Sequence, residues 1–123
     1  MIIGFMNASL EAIVRLIVYG LDGQEREVEA IIDTGFTGFL TLPSTLIASL
    51  GLTWRGREQG VLGDGNIQVF DVYAATVIWD GQLRIVEVDA ADTTPLVGMG
   101  LIYGHELRIR AVEGGTVIIE ALP

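Results

Sequence analysis

Ala30-Ile31-Ile32-Asp33-Thr34-Gly35-Phe36-Thr37-Gly38-Phe39-Leu40 decides how the rest of the chain is read. An apolar, β-branched run ends in an acid, followed by a small hydroxyl residue and a glycine. Such a run predicts a buried strand, and a strand that ends in Asp-Thr-Gly delivers a carboxylate into an interior-facing turn. A charge in that position costs several kcal/mol unless it is paired or hydrogen-bonded. The plain explanation is an Asx-turn, in which Asp33 caps its own backbone and Gly35 supplies a positive φ. The other explanation is chemistry, and the flanking sequence has to arbitrate.

Working outward, Ala12 to Tyr19 reads as a strand interrupted by Arg15, and Gly20-Leu21-Asp22-Gly23-Gln24 supplies a turn. Glu25 to Ile32 returns with alternating charged and aliphatic residues, so Asp33 stands at the end of the second arm of a hairpin. Beyond it, Gly38 to Leu42 predicts a short strand. Pro43-Ser44-Thr45 opens a brief helix that Gly51 ends. Thr53 to Leu62 predicts a polar edge strand, and Gly60 to Asn66 is a glycine-rich hairpin tip. Ile67 to Trp79 and Leu83 to Val88 pair across Asp80-Gly81, and Ala90 to Thr94 is a loop. Pro95-Leu96-Val97-Gly98 is a second apolar run that ends in glycine, followed by a helical turn over Met99 to Tyr103. Glu106 to Val112 and Thr116 to Leu122 form a last hairpin around Glu113-Gly114-Gly115. Strands throughout with one or two short helices predict an all-β domain, a small closed β-barrel.

Composition narrows the function. A chain of 123 residues builds one domain, 1–123, with one modest core. Half of it is apolar, which suggests that another subunit covers part of the surface. The 16 acids outweigh 7 bases, every one an Arg, for a net charge of −9. Without a basic patch, nucleic acid and anionic membranes are not expected partners. The absence of cysteine excludes disulfides, thiolate metal sites and cysteine nucleophiles, and it fits a reducing compartment. Met1 to Asn7 lacks the basic flank and apolar length of a signal peptide, and no run is long enough to span a bilayer. The expectation is a soluble cytoplasmic protein.

Most catalytic chemistries then fall away. His105 is the single histidine, no Gly-x-Ser-x-Gly elbow accompanies it, and a structural role is expected of it. No calcium loop is present, and Gly98-Met99-Gly100-Leu101-Ile102-Tyr103-Gly104 misses the dinucleotide-binding glycine spacing. Asp33 remains. One carboxylate serves amide hydrolysis poorly, because the reaction needs a general base and a general acid. Two carboxyls about 3 Å apart cannot both ionise, so a pair can do both. A chain with one such acid builds the pair by self-association about a two-fold axis.

At this point the chain resembles the retropepsin-like aspartic proteases, single-lobe relatives of pepsin that act as homodimers. The resemblance is carried by Ile31-Ile32-Asp33-Thr34-Gly35-Phe36-Thr37-Gly38, by the hairpin Gly60 to Asn66, and by Leu96-Val97-Gly98 ahead of a short helix. These lie in the family's order and span nearly the whole chain. The helix after Leu42 and the arginines suggest a bacterial or cellular branch.

The resemblance implies a retropepsin-like barrel and an aspartic endopeptidase. Asp33 becomes the catalytic acid, paired with its symmetry mate. Thr34 braces the two loops across the dimer axis, and Gly35 and Thr37 belong to the same active-site loop. Gly63, Asp64 and Gly65 form a flap tip over the substrate, and Leu96, Val97 and Gly98 pack beneath the loop. The implied partners are a second copy and a peptide or protein substrate, with no cofactor and no metal. Phe36 and Thr37 stand where viral relatives often have Ala and Asp, which alters the neighbouring subsites. Thr116 to Leu122 is the first choice for the dimer strand, and equally fits as an internal strand. Two other readings stay open: a dimerisation or peptide-binding module of the same fold, and a monomeric structural barrel with a capped Asp33.

Overall fold

The computed structural model describes residues 1–61 and 64–123. In chain order the elements are β1 (Ile2–Met6), β2 (Ala12–Tyr19), β3 (Glu25–Ile32), β4 (Leu40–Leu42), α1 (Ser44–Leu50), β5 (Thr53–Val61), β6 (Ile67–Trp79), β7 (Gln82–Ala90), β8 (Leu96–Val97), α2 (Met99–Ile102), β9 (His105–Ile109) and β10 (Thr116–Ala121). The domain is therefore all-β with two short helices among the described residues. None of its helices is long and apolar enough to cross a membrane.

The strands pair in the order β5-β6-β7-β4-β8-β3-β2-β1-β10-β9, and an added β6–β2 pairing closes β2, β3, β8, β4, β7 and β6 into a ring of six. Local chemistry explains most of the turns. Asp80 and Gly81 both take positive φ, 51° and 76°, the geometry that a two-residue β6–β7 hairpin needs. Gly51 ends α1 at φ 61°, its N–H bonded to Ala48 O and Ile47 O, a left-handed cap that glycine adopts without strain.

Alternation along the strands sends one face inward. Val14, Leu16 and Val18 on β2 meet Val28 and Ala30 on β3, Val77 and Trp79 on β6, and Val86 and Val88 on β7 in one cluster. Leu40, Val88 and Val97 are fully buried at the point where β4, β7 and β8 converge, each worth about 1.5–3 kcal/mol of burial. This convergence is what fixes the end of β3.

Several boundaries differ from the sequence reading. β4 starts at Leu40, because residues 36–39 turn aside to bond the segment after β8. β7 runs on to Ala90, since β4 offers it a parallel partner through Leu40↔Val88 and Leu42↔Ala90. β1 was not anticipated: a five-residue strand with a central glycine has no periodicity of its own, yet it pairs with β10 through Ile2↔Ile119 to Phe5↔Thr116. The same pairing displaces Thr116 to Leu122 from its expected role. β10 lies between β1 and β9, so both of its edges are already used within the chain.

Candidate functional site

Asp33 follows β3 directly and is half-buried. β3 reaches it as the parallel partner of β8, with Ile31↔Leu96 and Ile32↔Val97, and Asp33 N then donates to Val97 O at 2.9 Å. Its Oδ1 accepts from Gly35 N at 2.9 Å, and its carbonyl accepts from Phe36 N at 3.1 Å. The Asx-turn is thus real, but Gly35 is not among the positive-φ glycines. One carboxylate oxygen is anchored to the backbone, while no hydrogen bond to Oδ2 is formed among the described residues. Thr34 and Thr37 are exposed beside it.

The loop after Asp33 is clasped to the segment after β8. Gly98 N donates to Phe39 O, Met99 N to Phe36 O and Gly100 N to Gly38 O, at 3.0, 2.8 and 2.9 Å. Glycine is needed there because the two backbones touch. A Cβ on Gly98 would press on Gly38 O, Phe36 O and the Phe36 ring, and one on Gly100 would meet Gly38 O at 2.8 Å. Leu96 and Val97 thus pair with the end of β3, and Gly98 lies against the loop that follows Asp33.

Thr41 adds a buried polar tie that the sequence reading missed. It is 6 % exposed, and its Oγ1 accepts from Leu96 N at 2.9 Å. Thr41→Val keeps the shape but leaves that N–H unpaired. We expect a loss of about 1–3 kcal/mol in urea unfolding, and Thr41→Ser, which restores the acceptor, should recover most of it.

A cleft of about 720 Å³ opens on one side of this loop, between residues 35–39 and the β5–β6 hairpin. Phe36 and Phe70 supply apolar wall, and Thr37, Glu58, Gln68, Glu87 and Asp89 supply polar groups. Asp33 is not among the lining residues, which begin two positions on at Gly35. Asp64 and Gly65 form the turn between β5 and β6, where Asp64 Oδ1 accepts from Asn66 N at 2.9 Å and Gly65 has φ 85°. Gly63, the other residue expected at this tip, lies outside the described residues. Val61 and Ile67 face each other just below the turn, and both are exposed.

Asp89 is the perturbed acid of the cleft. Burial, and then the Glu58 and Glu87 carboxylates nearby, push it up to about 6. Between the ordinary carboxyl range and about 6, the folded chain therefore holds a proton there that the unfolded chain has released. Asp89 leaves folding unpenalised below the ordinary carboxyl range, and increasingly opposes it as pH rises through about 6. Half-open to solvent, the effect is screened to about 1 kcal/mol. Asp89→Asn should raise the thermal midpoint by about 3–5 °C near pH 8 and leave it unchanged near pH 4, as differential scanning fluorimetry will read. The sequence held a weak signal, an acid just past an alternating strand, which reads as solvent-facing until β4 is paired beside it.

His105 packs its ring edge-on against Trp79 with centroids 6.1 Å apart, and its Nδ1 lies 3.1 Å from Tyr103 O. No protein-family model matches the chain, nor does any curated protein or solved structure.

Proposed function

We propose that the chain is an aspartic endopeptidase of the retropepsin-like type, in which the ring of six strands is the barrel of one subunit and two copies share one active site. The observation that supports this best is the clasp: an acid at the end of a strand with one buried face, one oxygen fixed by Gly35 N, on a loop locked to Gly98 and Gly100. A cleft beside that loop, walled by the β5–β6 hairpin whose Val61 and Ile67 are exposed, supports it further. That Asp33 stands outside the cleft of a single subunit fits a site that a second copy completes.

In the proposed mechanism the two Asp33 carboxyls hold one water and share one proton. The ionised member takes a proton from the water as it attacks the scissile carbonyl. The protonated member polarises that carbonyl, and a proton then passes to the departing amine. One member has to be ionised and the other protonated, so activity follows a bell in pH. The hairpin closes over the peptide and excludes water, and Thr34 braces the two loops across the axis.

The test is to incubate the purified protein with a mixed peptide library between about pH 4 and 7 and read new termini by mass spectrometry. Cleavage that rises with pairing of the subunits supports the reading. Intact peptides under conditions where the protein is dimeric refute it, and leave the peptide-binding module as the better account of the cleft.

A further inference from the structure

β9 ends the strand order: it pairs with β10 on one side and with no strand on the other among the described residues. The register fixes which backbone groups face the open side. Leu122 N donates to Gly104 O and Arg110 N to Thr116 O, and between them Arg108 opposes Ile118 and Glu106 opposes Glu120. The even-numbered residues therefore turn their N–H and C=O toward β10. Alternate residues of an antiparallel ladder point the other way, so His105, Leu107 and Ile109 present theirs at the edge. Such an edge is a template for another strand.

The opposite end of the sheet is blunted. β5 has a register shift between Trp54 and Gly56, Gly56 sits at φ 147°, and Arg55 and Arg57 flank it. β9 has neither a bulge nor a proline. Its sequence, His105-Glu106-Leu107-Arg108-Ile109, is self-complementary when run antiparallel to a copy of itself about Leu107. Glu106 then falls opposite the partner's Arg108, and Arg108 opposite the partner's Glu106. Within one subunit the Arg108 guanidinium is shared between Glu106 and Glu120, so a partner's guanidinium opposite Glu106 relieves that sharing. Exposed apolar residues flank the edge, Ile109 at 41 % and Tyr103 at 85 %.

We infer that two copies of this chain join edge to edge at β9, across a two-fold axis at Leu107, into one continuous sheet. The inference deepens the homodimer proposed above by naming its strand. Residues 99–104 alone separate Gly98 from β9, and α2 packs on β9, so an axis at Leu107 is tied through one short helix to the loop that carries Asp33.

The experiment is sedimentation velocity on the full chain from about 1 to 200 µM, in enough salt to screen the charge between acidic chains. Wild type should dimerise. Arg108→Glu, which sets Glu opposite Glu twice, should weaken the dimer at least about ten-fold, and Glu106→Arg combined with Arg108→Glu should restore it. Residue-resolved hydrogen exchange on wild type keeps the test independent of any folding defect: the Leu107 and Ile109 amides should slow on dimerisation, while Arg108, already bonded to β10, should not. A monomer throughout the range, a dimer indifferent to Arg108→Glu, or a dimer with unchanged Leu107 exchange each overturns the inference. Cleavage by a dimer that does not use β9 sinks this inference alone; a β9 dimer that cuts nothing sinks the proposed activity alone.

Discussion

Asp33→Asn should lower peptide cleavage at least about a thousand-fold while leaving the fold intact. The substitution is isosteric, and the Asn carbonyl oxygen can still accept from Gly35 N as Asp33 Oδ1 does at 2.9 Å. The turn therefore survives, and the thermal midpoint should move by no more than about 1 °C. What is lost is the ability to take a proton from water. Mixing makes the prediction sharper. If one site is built from two Asp33 carboxyls, a hybrid dimer with one Asn is as dead as the double variant. Equimolar mixing with free exchange then leaves about a quarter of the activity of undiluted wild type, because only wild-type pairs work. If each subunit carried its own site, half would remain. A half-active mixture removes the shared site, and a variant that cuts like wild type removes Asp33 from the chemistry.

Much of this was legible because the informative interactions are local. The β2–β3 and β6–β7 hairpins announce themselves through period-two alternation and through Asp-Gly turns, and α1 is bracketed by Pro43 and Gly51. The position of Asp33 at a strand end follows from the same pattern, and Gly98 was recognisable as the end of a second apolar run. What stayed hidden depends on partners far along the chain. β1 exists because β10 pairs with it, and β10 thereby loses the free edge the dimer was expected to use. Asp89 becomes a cleft acid because β4 runs parallel beside β7. That Asp33 is only half-buried also escaped the sequence, since a carboxylate at the end of an apolar strand reads as enclosed.

The clasp yields the second large effect, and it separates packing from backbone conformation. Gly98 has φ −98° and ψ 175°, which alanine adopts freely, so Gly98→Ala carries no conformational penalty. Its cost is contact. The new methyl would press against Gly38 O, and meet Phe36 O at 2.8 Å and a Phe36 ring carbon at 2.6 Å. The ring can rotate away; the two carbonyls cannot, because each is held by an amide of the segment after β8, Phe36 O by Met99 N and Gly38 O by Gly100 N. The loop has to lift, and those bonds stretch with it. Overpacking together with weakened hydrogen bonds puts the loss at about 3 kcal/mol, or roughly 10 °C in thermal midpoint. Cleavage should fall further than unfolding explains, since residues 35–39 line the cleft and continue directly from the turn that Asp33 opens. Gly35→Ala is the matching control. Its Cβ would meet Asp33 Oδ1 at 3.3 Å and no other atom within reach, so stability should change by less than about 1 kcal/mol while catalysis suffers. If Gly98→Ala unfolds at the wild-type temperature, the two loops are not in the contact described, and the clasp no longer supports a site at Asp33.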